Sequence, residues 1–108
     1  MKITKATHHD WQVIYVEGQI DSKTSTELRD YLASELSLQM PVALELSKVL
    51  FMSSAGLRTL LLTHQKTRSA GIKLALIGLV DDIVETMKIT GFLDQFTLLD
   101  SVDSLATN

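Results

Sequence analysis

The chain has 108 residues, 45% of them hydrophobic, and a formal net charge of −3. That is enough for one packed domain and too little for two, and it excludes a disordered chain. No Lys/Arg cluster of the kind that tracks nucleic acid is present, and the lack of cysteine excludes disulfide frameworks, thiol catalysis and Cys-based metal sites. The opening Met1-Lys2-Ile3-Thr4-Lys5 is not followed by the apolar run of a signal peptide. No stretch approaches the roughly 20 apolar residues of a membrane span. The expectation is a soluble cytoplasmic domain that neither inserts in a membrane nor binds nucleic acid.

Ile3 to Thr7 and Trp11 to Val16 are rich in strand formers, and His8-His9-Asp10 between them suits the turn of a hairpin. The two histidines could serve a metal, but adjacent residues on a turn point apart and no further ligand converges on them, which favours a solvated turn. Gly18-Gln19-Ile20-Asp21-Ser22 breaks the second strand. Thr24 and Glu27 then have the spacing of a capping box, and Leu28, Tyr31, Leu32 and Leu36 recur at helical spacing, predicting a helix from Thr24 to about Leu38. Pro41 sets the chain extended, and Val42 to Leu46 suits a buried strand.

Leu57, Leu60, Leu61 and His64 fall on one face of a second helix that runs to about Ser69, with Gly71 placed to end it. Lys73 to Gly78 reads as another buried strand. Val80, Ile83, Val84 and Met87 predict a short helix ended by Thr90-Gly91. Phe92 and Phe96 suit plugs for the sheet edge and helix end. Phe96 to Leu99 is a short last strand, and Asp100-Ser101 can cap a final helix from Val102 to about Ala106. The order is β-β-α-β-α-β-α-β-α. An N-terminal hairpin followed by alternating helices and strands implies an α/β domain with a mostly parallel sheet and helices packed on it.

The stretch around which the rest is arranged is Val49-Leu50-Phe51-Met52-Ser53-Ser54-Ala55-Gly56-Leu57-Arg58. An exposed serine there stands at a helix N-terminus, where free N–H groups and the positive end of the dipole favour an anion. Such a serine suits a phosphate, although an ordinary N-cap is the commoner reason for a serine at that position. Asp21 is either a turn former or a residue facing the serine loop, since both loops would lie at one end of a parallel sheet. His64 lies about 15 Å along the helix from Ser54, too far to act as its base. With no Walker-type phosphate loop, no metal-ligand cluster and no base near the serines, an enzyme is the least supported class.

Gly18-Gln19-Ile20-Asp21, the run from Leu44 to Leu57, and Ile89-Thr90-Gly91-Phe92 followed by Phe96 and Asp100-Ser101-Val102 together resemble the STAS domain, specifically the anti-sigma factor antagonists. The resemblance runs from about Trp11 to Leu105 and treats residues 1–108 as a single STAS domain. It implies a non-enzymatic module without cofactor or metal. Ser54 matches the family's phosphoacceptor, while Ser53 stands where the family often has Asp. Asp21 matches an acidic residue that helps partner recognition. Asp21, Ser53, Ser54, Ala55, Gly56 and Arg58 are the expected partner-binding residues. The implied mechanism is partner switching. The unphosphorylated form binds an anti-sigma factor that is also a serine kinase of the histidine-kinase-like ATPase fold. Phosphorylation at Ser54 releases it, and a metal-dependent serine phosphatase of the PP2C type restores binding. The alternative is a STAS subunit of a membrane lipid- or ion-transport complex, not regulated by phosphorylation.

Overall fold

Strand formers on either side of a tight turn fold the N-terminus back on itself. In the computed structural model, which describes residues 1–105, β1 (Lys2–His8) pairs antiparallel with β2 (Trp11–Glu17). His9 turns the chain with a positive φ of 54°, a conformation histidine tolerates better than most non-glycine residues. Then follow α1 (Thr24–Glu35), β3 (Val42–Lys48), α2 (Ser54–Ala70), β4 (Leu74–Ile77), α3 (Asp81–Ile89) and β5 (Thr97–Leu99). The five strands lie in the order β1-β2-β3-β4-β5, with β2 to β5 parallel. The hairpin and the parallel sheet are as the sequence predicts.

Strand alternation divides the apolar residues between two faces. Ile14, Val16, Leu44, Leu46 and Leu76 meet Leu28 and Leu32 of α1, Leu57 and Leu60 of α2, and Ile83 and Met87 of α3 in the main core. Each such side chain, fully buried, contributes roughly 1.5–3 kcal/mol relative to exposure. Trp11, Val13, Ala43, Ala75 and Ile77 face the other way and pack with Leu105. The central strands are therefore buried on both faces, which is why Val42 to Leu46 reads as a nearly continuous apolar run.

Three expectations need correction. The first helix ends at Glu35, not Leu38, because the chain beyond it is held by a buried side chain. Gln12 is 2% exposed. Its amide oxygen accepts from Ser37 N–H at 2.9 Å, and its amide nitrogen donates to the carbonyls of Ser37 and Met40 at 2.6 and 3.1 Å. The Thr24–Glu27 capping box does not form. The Thr24 hydroxyl turns toward the preceding loop, donating to the Gln19 carbonyl at 2.7 Å and accepting from Asp21 N–H at 2.9 Å. Finally, Val102–Ser104 is one 3-10 turn rather than the start of an α-helix. Ser101 caps it by accepting from Asp103 N–H, and Leu105 leaves it extended to reach the core. The rest of that predicted helix, Ala106, lies outside the described residues. Gly71 does end α2 in the left-handed region, at φ 72°, as predicted.

Candidate functional site

The loops that leave β2 and β3 emerge at the same end of the sheet and are stitched together. Beyond a register shift between Tyr15 and Glu17, an isolated parallel bridge joins Ile20 to Met52. Ile20 N–H donates to the Phe51 carbonyl at 3.0 Å, and Ser53 N–H donates to the Ile20 carbonyl at 2.8 Å. This brings Asp21 beside the serine loop, since Asp21 follows directly on Ile20, which is bonded to both Phe51 and Ser53.

The two serines have different tasks. Ser53 has extended backbone geometry, and its hydroxyl accepts from Gly56 N–H at 3.4 Å, so Ser53 is the N-cap of α2. Its carbonyl accepts from Leu57 N–H at 3.0 Å, closing the first turn. Ser54 is the first helical residue and is exposed. Its hydroxyl makes no hydrogen bond among the described residues. α2 thus begins three residues earlier than the apolar periodicity suggested, since a cap and small residues precede the first buried leucine. The cap thus falls to Ser53, and Ser54 beside it is left with an exposed hydroxyl.

The electrostatics at this helix end favour an anion. No acidic residue lies in the first turn of α2. The N–H groups of Ser54 and Ala55 precede the first intrahelical bond. Arg58 is exposed and stands one turn along from Ser54, at the i,i+4 spacing that places side chains on one face. Arg29 of α1 and Arg58 both line a shallow groove between the two helices, with Ser22, Ala55 and Thr59.

Asp21 caps the neighbouring helix. Its carboxylate accepts from Thr24 N–H at 2.9 Å and Lys23 N–H at 3.0 Å, and the Thr24 hydroxyl lies 3.0 Å away. These bonds, the one from Thr24 N–H foremost, hold the carboxyl below its usual pKa. A lowered folded-state pKa means stability that is complete above the ordinary carboxylate value and is lost as the pH falls through the folded value. Asp21→Ala is therefore expected to lower the unfolding midpoint by a few degrees at neutral pH. The gap to wild type should narrow in acid. Asp21→Asn, whose amide oxygen can still accept, should lose less. Midpoints measured across a pH series check this; a gap that widens in acid would contradict it.

Gly56 is buried beneath the loop rather than displayed on it. A β-carbon there would fall 2.5 Å from Met52 Cγ and 2.8 Å from Ile20 Cγ2. Its contribution is close approach: α2 can start directly against the Ile20–Met52 bridge only because no side chain intervenes. Ala55 and Ser53 are half-buried at the rim.

Two residues on the same rim carry no functional role in the sequence reading. Leu50 is 74% exposed and Phe51 51%, whereas Val49 is buried and Met52 nearly so. The run of four apolar residues is the only trace of them in the sequence. A run of that kind cannot by itself show which members face solvent. The histidine pair of the hairpin turn packs ring edge to face, with centroids 4.6 Å apart. Among the described residues no group of three or more His, Asp or Glu could hold a metal ion, and no helix is long and apolar enough to cross a membrane.

A five-stranded mixed sheet whose β3–α2 loop displays an uncapped serine defines a small α/β domain of recognisable type. The chain belongs to the STAS domain family, whose model matches residues 2–105. A relative from Bordetella bronchiseptica, BtrV, proposed to be an anti-sigma factor antagonist, is 29% identical over 107 residues, covering 98% of this chain and 92% of its own. The anti-sigma factor antagonist SpoIIAA in its unphosphorylated form superposes with a TM-score of 0.76 at 12% identity, covering 95% of this chain and 92% of its own. The phosphorylated form of SpoIIAA, a Bacillus cell fate determinant, gives 0.71 at 11% identity over 95% of this chain and 96% of its own. A sulfate transporter family protein from Wolinella succinogenes gives 0.75 at 17% identity, over 92% and 84% respectively.

Proposed function

We propose that the chain is an anti-sigma factor antagonist that works by partner switching in the cytoplasm, with Ser54 as the phosphoacceptor. The observation that carries this reading is the division of labour between the serines: Ser53 takes the cap, which leaves the Ser54 hydroxyl exposed and unbonded. The unphosphorylated chain binds an anti-sigma factor that is also a serine kinase of the histidine-kinase-like ATPase fold. Asp21, Ser53, Ser54, Ala55 and Arg58 form the rim of the contact, Gly56 supports it from below, and Leu50 and Phe51 add apolar area beside it. Phosphate transfer from ATP to the Ser54 hydroxyl ends the contact, and a metal-dependent serine phosphatase of the PP2C type removes it. The similarity to BtrV, and the existence of SpoIIAA in two phosphorylation states, support this reading.

The domain itself performs no catalysis in this reading, and none of its residues needs a cofactor. The other reading, a subunit of a membrane transport complex, has the fold likeness to the Wolinella protein behind it. It leaves the free serine, and Arg58 one turn on from it, without a task. Calorimetric titration of the unphosphorylated chain against each anti-sigma factor kinase of the same cell separates the two. A stoichiometric complex with one of them, lost after ATP is added, is the expected result; no complex with any kinase would favour the transport role.

A further inference from the structure

At the opposite end of the sheet from Ser54 lies a cavity of about 430 Å³. It opens between the C-terminal end of α2 and the starts of β2, β4 and β5, and its volume falls in the range of ligand pockets. Trp11, Ile72, Leu74 and Leu99 supply apolar wall, and Arg68 and Lys73 supply two cations. Among the described residues no Asp or Glu lines it. This local excess of positive charge stands out in a chain of net charge −3. Arg68 and Lys73 make no ion pair or side-chain hydrogen bond among the described residues. The C-terminal end of α2 opposes an anion with only a partial negative charge, confined to the last turn, against which stand two full cations.

We infer that this cavity binds a small amphipathic anion, a medium-length acyl or aryl carboxylate, with its chain against Trp11 and Leu74 and its carboxylate between Arg68 and Lys73. Apolar walls with a few well-placed polar groups are what such a ligand requires: area removed from water supplies affinity, and the cations fix orientation. Arg68 lies about 21 Å along α2 from Ser54, so the site is separate from the phosphoacceptor surface. The inference does not depend on partner switching.

Trp11 is the only tryptophan, so its fluorescence reports on the cavity directly. Octanoate is the probe, and octan-1-ol its uncharged counterpart. Octanoate is expected to change the Trp11 emission saturably and to raise the unfolding midpoint. Octan-1-ol should bind about tenfold more weakly or worse, as should octanoate to the Arg68→Gln/Lys73→Gln double variant. Arg58→Gln, at the far end of the same helix, should leave octanoate binding unchanged. The inference is overturned if octanoate produces no saturable change, if octan-1-ol binds as tightly, or if the folded double variant binds octanoate like wild type.

Discussion

A Ser54→Asp chain is expected to keep its fold and lose most of its hold on the kinase partner. The fold should tolerate the charge because the exposed Ser54 hydroxyl makes no hydrogen bond among the described residues that aspartate would break. An acidic group in the first turn is also favoured by the helix dipole, by about 0.3–1 kcal/mol at an exposed site. Arg58 one turn on adds a few tenths of a kcal/mol, about the size of an exposed i,i+4 pair. Asp21 nearby and the overall negative charge oppose this by similar screened amounts. A phosphate carries about −1.5 to −2 charges and meets the same compensation. The partner surface, formed against a neutral hydroxyl, has no such compensation and must desolvate the new charge. Unpaired charge of this kind typically costs an interface about 2 kcal/mol or more, so affinity should fall at least about 30-fold. The circular dichroism spectrum and unfolding midpoint should stay close to wild type. Wild-type affinity in Ser54→Asp, together with a large backbone rearrangement on true phosphorylation, would replace this surface account with a conformational switch.

Gly56→Val should be the most damaging single change at the site for stability. Met52 Cγ belongs to a flexible side chain that can swing aside, but Ile20 is fully buried and β-branched. The Ile20 carbonyl, 3.2 Å from the added β-carbon, is held by its bond from Ser53 N–H. Overpacking at such a place costs about 1–3 kcal/mol, and valine's two further methyls put the change at the upper end. Replacing glycine in a helix returns up to about 1 kcal/mol when the new residue is alanine, and less for valine. A midpoint drop on the order of 10 °C is expected for Gly56→Val, with Gly56→Ala between it and wild type. An unchanged midpoint in Gly56→Val would mean that the loop does not rest on the Ile20–Met52 bridge.

These results also show why some of the molecule was legible in its residues and some was not. Local patterns carried the sheet and the helices. Val42 to Leu46 is apolar throughout because β3 is covered on both faces, and Gly71 stops α2 because only glycine takes the left-handed region without strain. What escaped depends on residues distant in sequence. Thr24 does not cap α1 because its hydroxyl is held in the preceding loop by the Gln19 carbonyl and Asp21 N–H, while the Asp21 carboxylate takes the N–H groups of Lys23 and Thr24. α1 stops early because Gln12, from another strand, binds Ser37 and Met40. The turn at Val102–Ser104 stays short because Leu105 is drawn onto the back of the sheet.

The serine pair shows both cases in adjacent positions. Register against the family loop singled out Ser54, yet either hydroxyl could have capped α2. The choice follows from the bridge between Ile20 and Met52, which holds Ser53 N–H and leaves its side chain over Gly56. The exposure of Leu50 and Phe51 follows from the same constraint. Val49 and Met52 point inward on either side, and the two residues between them are left outside.

The account rests on Ser54 being the phosphoacceptor, and intact-protein mass after incubation with the cognate kinase and ATP tests that most directly. Wild type and Ser53→Ala should each gain the mass of one phosphate, Ser54→Ala should gain none, and the phosphopeptide should carry the group on Ser54. A phosphate found on Ser53 alone, or a full mass shift in Ser54→Ala, would contradict it.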